Sequence, residues 1–129
     1  MNDIEIPFLS KITTKDKAFL ARQLATMLDS GLSIDKALTV FINQTKNTKL
    51  KKILTSILAD VESGLSFSDA MKKHPDVFDQ VFISIVVSGE AVGKLAEVLR
   101  ELAMNLEKQD QFSSKIKSAF YYPGFVLIV

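Results

Sequence analysis

Apolar residues recur along most of the chain with the spacing of an amphipathic α-helix. The first such stripe consists of Leu20, Leu24, Met27 and Leu28. Their spacing of i, i+4, i+7 and i+8 predicts one buried helical face, and Thr14 stands before them as the N-cap. Gly31 can close this helix in the left-handed conformation. Leu32 is then expected to fold back toward Met27 in a Schellman arrangement.

Three further helices follow from the same reasoning. Their stripes are Ile34, Ala37, Leu38, Phe41 and Ile42, then Leu50, Ile53, Leu54, Ile57, Leu58 and Val61, then Phe67, Ala70 and Met71. Ser33 is the predicted cap of the second helix, and Gly64 ends the third. A short fourth helix begins at Ser66 with Asp69 in a variant of the capping box, and Pro75 stops it.

The segment from Val77 to Val87 has apolar residues at eight of its eleven positions. It lacks strict alternation and is flanked by helices, which favours a helix buried on most sides over a strand. A sixth stripe consists of Leu95, Val98, Leu99, Leu102 and Leu106, and polar residues extend that helix to about Ser113. We therefore predict an all-α fold. Residues 14–113 form a compact six-helix bundle of antiparallel helical hairpins after an N-terminal extension, 1–13.

One short motif occurs twice, 33 residues apart. It reads SGLSI at residues 30–34 and SGLSF at residues 63–67, each time between two predicted helices. Two copies are fewer than a repeat solenoid needs, so we interpret them as similar hairpin turns of a compact bundle.

Composition excludes several kinds of chemistry. The 129 residues, 47% of them apolar, suit one domain, and the absence of cysteine leaves no thiolate ligand for zinc or an iron–sulfur cluster. A formal net charge of +1 lacks the basic excess of a nucleic-acid-binding protein. The lysines cluster only at Lys46, Lys49, Lys51 and Lys52, which we interpret as the solvated start of a helix.

Each candidate catalytic or ligand-binding motif in the sequence lacks a feature that its chemistry requires. His74, the single histidine, lies at a predicted helix end, where a cation caps the helix dipole. Residues 89–94 resemble a phosphate loop but are one residue too short, and Leu95 stands where that loop needs Ser or Thr. Glu90, Glu97 and Glu101 are spaced more widely than calcium-loop ligands. We therefore expect no enzymatic activity, no cofactor and no metal.

The C-terminal residues are ordered as in a segment that enters a membrane. Cationic residues come first, then aromatic, then aliphatic ones: Lys115 and Lys117, then Phe120, Tyr121 and Tyr122, then residues 125–129. This order predicts a membrane helix with its lysines on the cytoplasmic side, and Pro123 is tolerated early in such a helix. The uncharged residues 119–129 would span about 16 Å, half of a ~30 Å hydrocarbon core. Residues 114–129 are thus expected to be a junction and the start of a first transmembrane helix.

Six landmarks in order resemble the F-type inner-membrane platform proteins of bacterial type II secretion systems and type IV pilus assembly. They are residues 22–28 (RQLATML) with 30–32 (SGL), then 64–66 (GLS), 74–78 (HPDVF), 88–90 (SGE), 93–95 (GKL) with 98–99 (VL), and Ala119 with 122–123 (YP). The resemblance implies a six-helix cytoplasmic domain, often dimeric, followed by membrane helices. The present sequence differs from many members of this family in two ways: a short segment precedes its first helix, and Arg100 stands where some relatives have an acidic residue.

The same resemblance implies what such a domain would do. The platform lies in the bacterial inner membrane and links a cytoplasmic assembly ATPase to the extrusion of pilin or pseudopilin subunits, without catalysis or cofactor of its own. The motif positions are Gly31, Gly64, Gly89, Glu90 and Gly93, and the positions for entering the membrane are Lys115, Lys117, Tyr121, Tyr122 and Pro123. The alternative is a soluble helical adaptor that docks through its apolar C-terminal tail.

Overall fold

The computed structural model describes the backbone of residues 11–128 and the side chains of residues 11–111. Six helices follow one another: α1 (Thr14–Asp29), α2 (Ile34–Gln44), α3 (Thr48–Glu62), α4 (Phe67–Met71), α5 (Gln80–Val92) and α6 (Leu95–Ile128). The described backbone contains no strand. The prediction of an all-α, six-helix fold is therefore confirmed.

Each helix contacts the next one along the chain, and α6 returns to pack along α1. Two ion pairs set the α1–α6 register: Arg22 binds Glu107 with a shortest N···O distance of 2.7 Å, and Asp29 binds Arg100. The two pairs are seven residues apart on each helix, and the order of the partners shows that α1 and α6 run in opposite directions. Since seven residues are about two helical turns, both pairs fall on the same antiparallel seam.

The predicted stripes form one continuous core. Its fully buried large side chains include Leu20, Leu24, Leu38, Leu50, Leu54, Ile57, Met71, Phe78, Val86 and Leu99. Burying a side chain of this size stabilises the fold by about 1.5–3 kcal/mol. In α3 the stripe is only half inside, because Ile53, Leu58 and Val61 lie at the edge of the core.

The first helix begins one residue earlier than the sequence indicated. Thr13, not Thr14, is the N-cap. The backbone N–H of Asp16 donates to Thr13 Oγ1 at 3.1 Å, and the N–H of Thr13 donates to the Asp16 carboxylate at 2.9 Å. This reciprocal pair is a complete capping box, which the Asp side chain can close as Glu does elsewhere.

The prediction for α5 was wrong in two respects. The helix begins at Gln80, because the Asp79 side chain accepts from the N–H of Phe82 at 2.8 Å and caps it there. Val77 and Phe78 precede it in a buried turn. The helix is also not buried on most sides, since Val81 and Val92 are 65% and 66% exposed.

The helix α6 does not end near Ser113, as its polar residues had suggested. It continues as one helix from Leu95 to Ile128, 34 residues in all. At 1.5 Å per residue this is about 51 Å. The first half of α6 packs in the core through Leu99, Leu102 and Ala103, so one continuous helix joins the core to the C-terminal apolar sequence.

Candidate functional site

Glu90 lies in the last turn of α5 and binds the start of the short helix α4. Its carboxylate accepts the backbone N–H of Ser68 at 2.9 Å and the Ser68 hydroxyl at 2.5 Å. Ser68 is the second residue of α4, where backbone N–H groups lack intrahelical acceptors. An anion is favourable there because it meets both the free donors and the positive end of the helix dipole. Glu90 therefore caps α4.

This contact corrects the expected role of Glu90. An acidic residue between two glycines, as in residues 88–93 (SGEAVG), is a pattern that favours a helix-to-helix turn in which Glu90 would stabilise the start of the following helix. In the structure Ser88, Gly89 and Glu90 are still helical, and the carboxylate reaches back 22 residues along the chain. The turn itself is Gly93, whose φ of 71° is left-handed.

Two further serine contacts complete the cap. Ser66, the N-cap residue of α4, accepts the N–H of Asp69 at 3.1 Å, and its hydroxyl lies 3.2 Å from that of Ser68. Ser68 is 3% exposed, yet its hydroxyl is satisfied. An unsatisfied buried hydroxyl would cost about 1–3 kcal/mol, so Glu90 and Ser68 depend on each other.

The glycines beside Glu90 are required for different reasons. Gly93 closes α5, and the N–H of Lys94 donates to the Gly89 carbonyl at 2.8 Å. Gly89 is helical, but a Cβ there would overlap the Val98 side chain and approach the Leu95 Cα to 3.2 Å. At Gly89, therefore, α5 lies too close to the start of α6 to leave room for a side chain.

The other two predicted glycines lie at separate turns. Gly31 and Gly64 have φ values of 101° and 115°. The backbone N–H of Leu32 donates to the Met27 carbonyl at 3.1 Å, and that of Leu65 donates to the Asp60 carbonyl at 3.0 Å. Both turns are therefore Schellman motifs. The first of these was predicted. A Cβ at either position would have no atom within 4 Å, so glycine is needed there for its positive φ and not for lack of space.

The structure therefore brings together Gly89, Glu90 and Gly93 and leaves Gly31 and Gly64 at neighbouring turns. Sequence reasoning missed Ser68, because its position as the second residue of α4 carries no signal for a distant acid. It also missed the ion pairs of Arg22 with Glu107 and of Asp29 with Arg100. The guanidinium of Arg22 lowers the pKa of Glu107, and Glu107 in turn raises the pKa of Arg22.

Other candidate sites have no convergent chemistry. His74 follows α4, where its backbone N–H donates to the Met71 carbonyl at 2.9 Å and its side-chain Nε2 is buried with no hydrogen-bond partner among the described residues. An open groove of about 490 Å³ runs between residues 72–80 and the exposed side of α5, near Ile83 and Val87. Among the residues described, no three His, Asp or Glu side chains are grouped as a metal site would require.

The predicted positions for entering the membrane have no described side chains. Lys115, Lys117, Tyr121, Tyr122 and Pro123 all fall within the helical backbone of α6, and their contacts lie outside the described residues. Within the part of the chain described, no helix is both long and apolar enough to span a bilayer.

Fold and site together define an all-helical domain organised by capped turns, with one long helix that continues beyond the core. The family model for type II secretion system (T2SS), protein F, matches residues 20–129. The type IV pilus assembly protein PilC of Myxococcus xanthus is 40% identical over 127 residues, which are 98% of this chain and 30% of that protein. The type II secretion system protein F of Vibrio cholerae is 36% identical over 122 residues, which are 95% and 30%.

The chain therefore belongs to the type II secretion system protein F family, the F-type platform proteins of type II secretion and type IV pilus assembly. A PilC of Thermus thermophilus is similar to the same degree, 40% over 127 residues. The chain spans about 30% of the length of these curated relatives. The predicted resemblance is confirmed.

Proposed function

We propose that this domain is the cytoplasmic part of an inner-membrane platform protein that couples an assembly ATPase to the extrusion of pilin or pseudopilin subunits. Residues 14–113 are the proposed cytoplasmic unit, and residues 114–129 the junction and the start of the first transmembrane helix. The domain transmits force without catalysis. Membership of the family supports the platform role, and the contacts of α6 support the way in which force would pass.

The observation that carries the proposal is the continuity of α6. Its first half is held to α1 by the Arg22–Glu107 and Asp29–Arg100 ion pairs and packs against α5 at Gly89. The same helix continues into the uncharged residues 118–128. Since packed interiors deform little, a displacement applied to the bundle would move this helix as a unit.

A homodimer is part of the proposal, and the exposed face of α5 supports it. The exposed residues of that helix are Gln80, Val81, Ser84, Val87, Ser88, Ala91 and Val92, none of them charged. Depletion of charge is a mark of interface cores. Val81, Ile85, Ser88 and Val92 are spaced symmetrically about the middle of the helix, so two antiparallel copies could align Val81 with the partner's Val92.

A stiffness test addresses the coupling. Lys108 and Gln111 are exposed on α6 between the core and the apolar sequence. In the full-length protein, K108G/Q111G would lower the stability of this part of α6 by about 1 kcal/mol per glycine and make it more flexible, whereas K108A/Q111A keeps residues that favour a helix. We expect the glycine pair to reduce fibre assembly or secretion at equal protein level and the alanine pair to leave it intact. Equal activity of the two pairs would contradict the coupling role.

The location is tested by labelling. These 129 residues contain no cysteine, so a single cysteine at the exposed Ser56 of α3 can be introduced into a cysteine-free version of the full-length protein. A maleimide that does not cross membranes should label it only after the inner membrane is permeabilised. Labelling in intact spheroplasts would place the domain on the other side. Site-specific photocrosslinking from the same position then tests contact with the ATPase.

A further inference from the structure

The topology brings four chain segments together at one end of the bundle, and three of them contain lysines. The Asn47 side chain donates to the Lys11 carbonyl at 3.0 Å and to Asp16 at 3.2 Å, which joins the α2–α3 connection to the start of α1. Lys17 donates to the carbonyl of Val77 at 3.3 Å. We call the end formed by residues 11–17, 45–52, 76–80 and 107–111 the lysine end.

The same end is where α6 leaves the bundle. Arg22 pairs with Glu107, and Asp29, two turns closer to the C-terminus of α1, pairs with Arg100. The two helices therefore run antiparallel. In this register the first residue of α1 lies beside about residue 115, and the last ~13 residues of α6 extend about 20 Å beyond it. That stretch contains Lys117 and then the uncharged residues 118–128.

Charge is distributed unequally between the two ends. The lysine end holds eight lysines and five carboxylates, a net charge of +3. The opposite end, formed by residues 29–36, 60–73 and 90–101 around the three glycine turns, holds five cations and eight carboxylates, a net charge of −3. With Arg22 between them, the net charge of +1 for residues 11–111 conceals a strongly polarised domain.

Three lysines of this end, Lys46, Lys51 and Lys52, lie close together in the sequence. All three are exposed, and the described residues offer them no carboxylate within ion-pairing distance, whereas Lys49 lies 4.0 Å from Asp76. A solvated helix start explains one or two lysines, but it does not explain why exposed lysines gather where α6 leaves the bundle. Ammonium groups at that position suit a surface of phosphate headgroups.

We propose that the lysine end rests on the anionic headgroups of the membrane that α6 enters, with Lys46, Lys51 and Lys52 as the main contacts. This inference rests on the proposed function. The contact orients the bundle on the membrane with its glycine turns and Glu90 directed away from the bilayer. Each lysine near an anionic surface favours the docked state by a factor of roughly five, so neutralising three weakens docking by roughly 100-fold at full contact.

The test uses the full-length protein, cysteine-free apart from one labelled position, reconstituted in vesicles. A fluorophore at Asn43, exposed near the end of α2, reports on the lysine end, and one at Ser63 reports on the opposite end. Vesicles contain headgroup spin-labelled lipid in either pure phosphatidylcholine or 30% phosphatidylglycerol. We expect phosphatidylglycerol to increase quenching at Asn43 only, and 0.5 M salt to reverse the increase because it shortens the Debye length.

Two triple variants with the same change in net charge separate the contact from general electrostatics. K46Q/K51Q/K52Q should abolish the response to phosphatidylglycerol, and K36Q/K72Q/K94Q, at exposed positions of the opposite end, should retain it. Equal responses of the two variants, or equal quenching in both lipids, would overturn the inference. So would loss of fibre assembly by the first variant without a change in quenching, which would indicate an acidic protein partner instead.

Flotation of the vesicles after alkaline carbonate extraction separates this inference from the proposed function. Protein that floats with no difference between the lipids refutes the headgroup contact and leaves the platform proposal standing. Protein that is extracted from the vesicles has no membrane helix, and both proposals then fail.

Discussion

Replacing Glu90 by Ala should destabilise the domain through the start of α4, although Glu90 belongs to α5. The substitution removes two charge-assisted hydrogen bonds, at 2.9 and 2.5 Å, and leaves the hydroxyl of the 3%-exposed Ser68 with the Ser66 hydroxyl, 3.2 Å away, in place of a carboxylate. Hydrogen bonds to charged groups contribute about 1.5–3 kcal/mol each. Because Glu90 is itself partly exposed, we expect the lower part of that range for the pair together, about 2 kcal/mol.

Denaturant unfolding of the purified chain measures this loss directly. For a domain of this size, 2 kcal/mol corresponds to a decrease in Tm of about 8 °C. Glu62, exposed at the end of α3, provides the matched control, since E62A removes a carboxylate without a cap. Hydrogen exchange adds a local readout: the Ser68 amide should exchange faster in E90A and at its normal rate in E62A.

A double-mutant cycle decides whether the two side chains act as a unit. S68A removes the hydroxyl and retains the backbone N–H that Glu90 accepts. If the two groups depend on each other, E90A/S68A should be about 1 kcal/mol more stable than the sum of the single changes predicts. Strict additivity, or a loss below about 0.5 kcal/mol for E90A, would refute the assignment of Glu90 as the cap of α4.

Three further predictions concern packing, assembly and pH. G89A should destabilise the domain by about 1–3 kcal/mol through overlap with Val98, and G89A/V98A should recover part of that loss in thermal melts. V92E, at a 66%-exposed position, should convert a homodimer into monomers in light scattering and leave Tm nearly unchanged; an unaltered mass would exclude the α5 face as the interface. Because Arg22 lowers the folded-state pKa of Glu107 below 4.5, their pair stabilises the fold above that pH and the stabilisation is lost as pH falls through the folded-state pKa. R22Q should remove this part of the acid sensitivity, and an unchanged stability-against-pH curve would count against it.

Sequence reasoning was most successful where the determining interactions are short-range. The apolar stripes of α1 and α2 and the Schellman turn at Gly31 depend on residues within two helical turns of one another, so periodicity and backbone preference predict them. It failed at α5, where density of apolar residues was taken for burial. How much of that helix is covered depends on the helices packed against it, and within α5 they bury Phe82, Val86 and Gly89 and leave Val81 and Val92 exposed.

The sequence by itself determined the helical class, the order of the helices and the conformations of the glycine turns, because these follow from local spacing and from the steric freedom of glycine. Only the tertiary structure decided which helix Glu90 caps, since its partner Ser68 is 22 residues away and becomes a neighbour when α4 packs against α5. The same holds for charge. A composition of 16 cations and 15 anions is nearly neutral, and tertiary packing is what gathers lysines from three separate segments at the end where α6 leaves the bundle.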